Sequence, residues 1–365
     1  MMFRKNRKAV LMLILVLVAS LFLAACGSGG SSSSSGGGGQ TDGNRQSGGS
    51  GEKFTLVFAD YMPPTHFISQ NGHQEWIKRV QELTNNRVEI SYYPSGQLAS
   101  AQDIMDLVRN GGADIGNTAQ GYVAGKLPLT GVVSLPGLTD KADVAGMAAT
   151  ELLASDLMLN SGFLENGIRP LYAYTSPPAE IFTKVPIRTM DDLKGLKIRV
   201  PGGITENQLS ALGATPISMA EGELYQAIQR GTIDGTFMVA PGVVGNKLYE
   251  VLSYGTVGSG GSVILLFTFI SNNTWEKLPD DIKAAMNQAT MEIAEKIGTI
   301  TVEQLVRDTE ELKKQGMEFI EVDKNLFTGA VQSVNDEWIQ SMKEKGLPVE
   351  ESVDLFVELL KKYDR

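Results

Sequence analysis

The 365-residue sequence predicts an α/β protein of two lobes with a cleft between them, and three observations carry that expectation. A strand–helix–strand–helix–strand order occurs twice, about 120 residues apart, as parallel β-α-β layering requires. Each run closes on nearly the same phrase, "LVRNGGADIG" in the first and "AIQRGTIDG" in the second. A fully apolar strand and a helical pattern long enough to brace both lobes then follow. A single doubly wound sheet is the alternative the pattern leaves open.

The N-terminus lies outside that fold. Arg4, Lys5, Arg7 and Lys8 precede an apolar run from Ala9 to Leu23, which ends in Leu23-Ala24-Ala25-Cys26. The run is short for a span of about 20 residues. The single cysteine follows a small-residue cleavage site, so residues 1–25 resemble a bacterial lipoprotein signal peptide rather than a transmembrane helix. Cys26 is then the lipidated first residue of the mature protein. Residues 26–51 are Gly/Ser-rich and form a flexible tether with a reach of about 25–30 Å. The body is expected to be extracytoplasmic, fastened to the cell membrane by the lipid on Cys26. No cysteine is left for a disulfide. Removing the four leader cations from 32 leaves 28 against 42 acidic residues, a net charge of −14. So acidic a body disfavours nucleic acid and anionic lipid as partners.

Within the body, "KFTLVFAD" (Lys53–Asp60) alternates as a strand, and a helix over about 67–83 puts Trp76, Ile77, Val80 and Leu83 on one side. "RVEISYY", the helix "AQDIMDLVRNGG" and the strand "ADIGN" complete the first run. "LKIRV", "TENQLSALG", "TPISM", "EGELYQAIQRG" and "TIDGTF" form the second. In both, glycine ends the helix, and Asp114 or Asp234 stands before Gly116 or Gly235. "VILLFTFISN" (Val263–Asn272) is a buried strand. Pro279, Asp280 and Asp281 open a helix that persists to about Lys314, roughly 50 Å at helical rise. The β-branched stretch Gly298–Thr301 is where it is expected to bend.

Catalysis is poorly provisioned. There is no G-x-S-x-G elbow and no phosphate-binding G-x-x-x-x-G-K-[ST] loop, and the only cysteine is used by the anchor. His66 and His73 on one helix would stand about 10 Å apart along its axis, too far to share a metal. A non-enzymatic binding protein without cofactor or metal is the expectation. Arg199 lies at the C-terminal end of the "LKIRV" strand, at its last wet position, before Gly202 and Gly203. An arginine fork there suits a ligand carboxylate; a surface cation neutralising Asp191 or Asp192 is the competing reading.

"DDLKGLKIRVPGG" followed by "LGATPISMAEGELYQAIQRGTIDG" resembles the core motif of the substrate-binding proteins of TRAP transporters, the DctP type. "RVEISYYPSGQL", "ADIGNTAQGYVAGKLPLTGVVSLPGL" and "NNTWEKLPDDIKAAM" are similar to the same family, so the likeness runs from about Glu52 to the end. It implies a periplasmic-binding-protein type II-like fold, closing on a small organic carboxylate held by Arg199. It also implies small and large TRAP membrane subunits as partners. The lobes are then expected at 52–176 with 264–303 returning, and at 177–263 with 304–365 completing the second. A second arginine found in some members is replaced here by Ala179 and Glu180, and an asparagine by Phe237 and Met238. Both changes favour a ligand with one carboxylate and an apolar body over sialic acid or a dicarboxylate. Glu180 is a candidate acceptor for a ligand hydroxyl or amine, or a solvated charge. His66 faces the cleft or the surface. Tyr61, Tyr122 and Tyr174 are cleft or core aromatics. An ATP-driven importer, a ligand-presenting sensor and a lipid-anchored hydrolase are the other functions weighed.

Overall fold

A computed structural model describes residues 51–259 and 262–364. The expected signal peptide, Cys26 and most of the tether lie outside the described residues. The strands form two separate sheets, which removes the single-sheet alternative. The first has five strands in the order β2-β1-β3-β10-β4, with β1 Phe54–Ala59, β2 Val88–Tyr93, β3 Ile115–Ala119, β4 Ile168–Thr175 and β10 Leu265–Ser271. The second has the order β11-β9-β5-β8-β6-β7, with β5 Glu180–Thr183, β6 Lys197–Val200, β7 Thr215–Ser218, β8 Gly235–Met238, β9 Tyr254–Val257 and β11 Glu318–Glu321.

The sequence repeat is a repeat of topology. β1 runs parallel to β2 and β3, and β6 runs parallel to β7 and β8. In each half an antiparallel strand then joins the last of the three, β10 on β3 and β5 on β8. The repeated aspartates explain their own recurrence. Asp114 Oδ2 accepts the Val57 N–H at 2.9 Å, and Asp234 Oδ2 accepts the Lys197 N–H at 2.8 Å. Each therefore ties the third strand of its half to the first, satisfying a backbone donor at the sheet end. The helices before them end at Gly111 and Gly231, whose φ values of 77° and 73° few other residues adopt.

The chain passes between the sheets after β4 and returns between β9 and β10. Helix Asp280–Lys314 then spans both halves, packing on helix Gln74–Leu83, helix Ala142–Ala154 and β4 of the first and on helix Ala240–Gly245 of the second. It passes through Gly298–Thr301 without a break, and Gly298 lies close against Asp143 of helix Ala142–Ala154. A Cβ there would stand 2.9 Å from the Asp143 Cα. The last helices also touch both halves: Gln332–Glu344 meets helix Ile204–Ala211, and Val349–Tyr363 lies along helix Ala142–Ala154. That final packing joins the C-terminus to the first half, although the chain order suggests the second. One apolar cluster runs through both halves, from Ile104 and Leu152 to Ile198 and Phe237.

Candidate functional site

The cleft is built where strand ends of both sheets meet. Three parallel strands in each half finish toward it, and short loops carry the next residues across. The space between them, counted out into open solvent, is about 680 Å³. Tyr61, His66, Tyr122 and Tyr174 line it from the first half, Arg199, Glu221 and Met238 from the second, and Thr301 from the long helix.

Arg199 is 3% exposed. Strand β6 is interior to its sheet, between β7 and β8, and of its four residues only Lys197 is exposed, so the solvated face expected from its alternation does not extend to Arg199. The competing partners are occupied elsewhere: Asp191 pairs with Lys194 at 2.7 Å, and Asp192 accepts the Arg188 and Thr189 N–H groups. Arg199 Nε donates to the Met219 carbonyl at 2.9 Å and Nη2 to the Tyr122 hydroxyl at 2.5 Å. Among the described residues, no carboxylate stands within 4.0 Å of the guanidinium. A buried cation without an anion costs several kcal/mol in desolvation.

Tyr122 joins the halves. It follows β3, yet its hydroxyl accepts from Arg199 of β6 and from the Glu221 N–H at 3.2 Å. With both lone pairs engaged, its proton is free to donate into the cleft. Burial raises the Tyr122 pKa, with the Glu221 charge adding and the Arg199 charge opposing, so the phenol stays a donor. Beside it the two backbones meet without side chains between them. A Cβ on Gly121 would lie 2.7 Å from the Gly202 carbonyl oxygen, and one on Gly202 equally close to that of Gly121. Gly202 and Gly203 also hold φ at 116° and 66°.

The aromatic wall has its own support. Tyr61 meets Tyr122 edge to face, with ring centroids 5.7 Å apart. Tyr174 donates its hydroxyl to Asn117 Oδ1 at 2.9 Å, and Asn117 Nδ2 donates to the buried Asp60 at 2.9 Å. Tyr174 therefore presents its ring, not its hydroxyl, to the cleft. Asp60 also accepts from the Tyr92 hydroxyl at 2.5 Å, and His73 Nε2 approaches it at 3.6 Å. Burial drives the His73 pKa down to about 4, so this imidazole is neutral. His66 is 8% exposed; its Nδ1 accepts the Ile68 N–H at 3.2 Å, which leaves the proton of the neutral ring on Nε2. Burial lowers its pKa against the opposing charges of Glu221, Asp60 and Asp308.

Two sequence candidates stand elsewhere. Glu180 is not a cleft acceptor and not a solvated charge: its carboxylate accepts the N–H groups of Gly258 and Ser259 and the hydroxyls of Thr256 and Ser259, all within 2.7–3.0 Å. It pins the turn after β9. Phe237 is 1% exposed and belongs to the core, because neighbours along a strand face opposite ways and Met238 takes the cleft side. Sequence reasoning missed Glu221 and Thr301. Glu221 follows shortly after β7, and strand-end position was the signal that could have found it. Thr301 reaches the cleft only through tertiary packing of the long helix. Among the described residues, no group of three or more His, Cys, Asp or Glu side chains is arranged to hold a metal ion.

Comparison with known proteins adds a lineage to this geometry. The sequence model of the bacterial extracellular solute-binding proteins of family 7, DctP, matches residues 58–351. A solute-binding protein of Chromohalobacter salexigens is 25% identical over 291 residues, covering 77% of this chain and 84% of that protein. A monocarboxylate 2-oxoacid-binding periplasmic protein of Nostoc sp. is 30% identical over 229 residues, 60% of this chain and 61% of that protein. Among solved structures, a TRAP periplasmic solute-binding protein from Bordetella bronchiseptica with bound (R)- and (S)-mandelate matches at a TM-score of 0.77. The two are 25% identical, and the match covers 85% of this chain and 99% of that one.

Proposed function

The chain belongs to family 7 of the bacterial extracellular solute-binding proteins, the DctP type that serves TRAP transporters, and from that premise we propose that it captures a small organic acid with one carboxylate and an apolar body. Arg199 and the Tyr122 hydroxyl receive the carboxylate; Tyr61, Tyr174 and Met238 enclose the body. The observation that carries this reading is the buried Arg199 guanidinium, which faces a cleft and has no carboxylate partner among the described residues. A ligand carboxylate would supply the missing charge in a bidentate geometry that suits arginine. The mandelate bound by the Bordetella relative and the monocarboxylate specificity of the Nostoc relative agree with a single-carboxylate ligand. In this reading Cys26 carries the lipid anchor, residues 26–51 are the tether, and the loaded protein delivers its ligand to the small and large TRAP membrane subunits.

The test is calorimetry with a panel of aromatic and aliphatic monocarboxylates and dicarboxylates. At least one monocarboxylate is expected to bind, and Arg199→Ala to weaken it at least about a hundredfold, the scale for removing one member of a buried charge pair. Undiminished binding by the variant removes Arg199 from the site.

A further inference from the structure

Glu221 is the one cleft-lining carboxylate among the described residues, and nothing in the fold consumes it fully. Its Oε1 accepts from Asn246 Nδ2 at 2.5 Å, while Oε2 has no hydrogen-bond partner among the described residues. It does not pair with Arg199, although both groups border the same space and both bond to Tyr122, Arg199 through Nη2 and Glu221 through its backbone N–H. Its charge is felt at Tyr61, Tyr122 and His66, three side chains lining the cleft. The cleft therefore holds a cation and an anion that do not pair with each other.

We propose that Glu221 determines specificity in this cleft, accepting a hydrogen bond from a hydroxyl or ammonium group on the ligand's body while Arg199 holds its carboxylate. This rests on the reading of Arg199 given above. A ligand that fills the cleft strips water from Glu221 Oε2, and an ionised acceptor left dry without a donor costs more than any apolar contact nearby returns. A ligand that brings a donor avoids that penalty. A site built around a buried polar group rejects the analogue lacking its partner far more strongly than an apolar pocket rejects a missing methylene. The same charge repels a second carboxylate. The ligand class is thus a monocarboxylic acid bearing a hydroxyl or ammonium group, rather than a plain hydrocarbon acid or a dicarboxylate.

The experiment is calorimetry of the full-length protein with four probes: phenylacetate, 2-hydroxy-2-phenylacetate, 3-hydroxyphenylacetate and 2-amino-2-phenylacetate. At least one donor-bearing acid is expected to bind tenfold or more tightly than phenylacetate, and which one does so separates hydroxyl from ammonium. Glu221→Leu should erase or invert that preference, chiefly by tightening phenylacetate, which no longer dries an unpaired carboxylate. Glu221→Gln, nearly isosteric and insurance against misfolding of the leucine variant, should keep part of a hydroxyl preference and lose an ammonium one. Equal affinities for all four acids, or a preference that survives Glu221→Leu, overturn the proposal and leave Arg199 untouched. Absence of binding by every acid overturns this proposal, and binding that persists in Arg199→Ala overturns the Arg199 reading and this proposal with it.

Discussion

Arg199 is worth more to binding than to folding. Its burial draws two of five N–H donors into bonds with Met219 and Tyr122 and leaves the charge without an anion among the described residues. Replacing such a group by an apolar side chain of similar length often leaves a fold as stable or more so. Arg199→Met is accordingly expected to abolish ligand binding while holding or raising the melting temperature of the unliganded protein. Tyr122→Phe should act more mildly. It removes the acceptor shared by Arg199 and the Glu221 N–H, and with it the proton offered to the ligand. Affinity is expected to fall about tenfold by calorimetry, the size of one hydrogen bond to a charged group. Much about Arg199 was legible beforehand, because the strand end and the two glycines after it are local features. Its burial was not, since alternation in a four-residue strand says nothing about whether neighbours cover its second face. Glu180 shows the same limit: its four partners come from a turn more than 70 residues away in sequence.

At the level of elements, the sequence repeat proved to be structural in purpose. Asp114 and Asp234 recur because each half must close the same strand junction, not because either approaches the cleft. Phe237 and Met238 adjoin in the sequence, yet one residue of register puts them on opposite faces of β8. The long helix was visible in length and boundaries, since Asp280 and Asp281 fall in its first turn and Gln315 follows its end. The role of Gly298 was not visible. Its contact is the backbone of helix Ala142–Ala154, which cannot move aside as a flexible side chain would. Gly298→Val should therefore push the two helices apart and cost about 1–3 kcal/mol, measured by urea unfolding, despite valine's larger apolar surface. A change within about 0.5 kcal/mol would show that the helices can re-seat.

Across the whole molecule, stability should respond to acid through the network behind the cleft wall. Neutral His73 sits among Asp60, Tyr172 and Tyr174, with its pKa held near 4 against an ordinary value of 6.5. The unfolded chain takes up a proton as pH falls through about 6.5, and the folded chain refuses it until about 4. The contribution of His73 is thus fully present above pH 6.5 and is lost between there and pH 4, about 3 kcal/mol in all. His66, lowered by burial in the same way, works in the same direction. Melting temperatures followed from pH 7.5 to pH 4.5 should fall for the natural protein and fall less for His73→Gln. Equal slopes would mean that carboxylates alone set the acid limb. Through Asn117, which bonds both Asp60 and Tyr174, this network also supports the aromatic wall of the cleft.

By itself the sequence determined the repeat of strands and helices, the brace that follows them, and the placing of one arginine where strands end. These follow from periodicity, glycine stops and charge spacing, all properties of short stretches. Only the tertiary structure decided which polar groups were left over once folding had matched the rest. Glu180 was satisfied, Arg199 and one oxygen of Glu221 were not, and hydrogen bonding between distant segments is a property that no local pattern records.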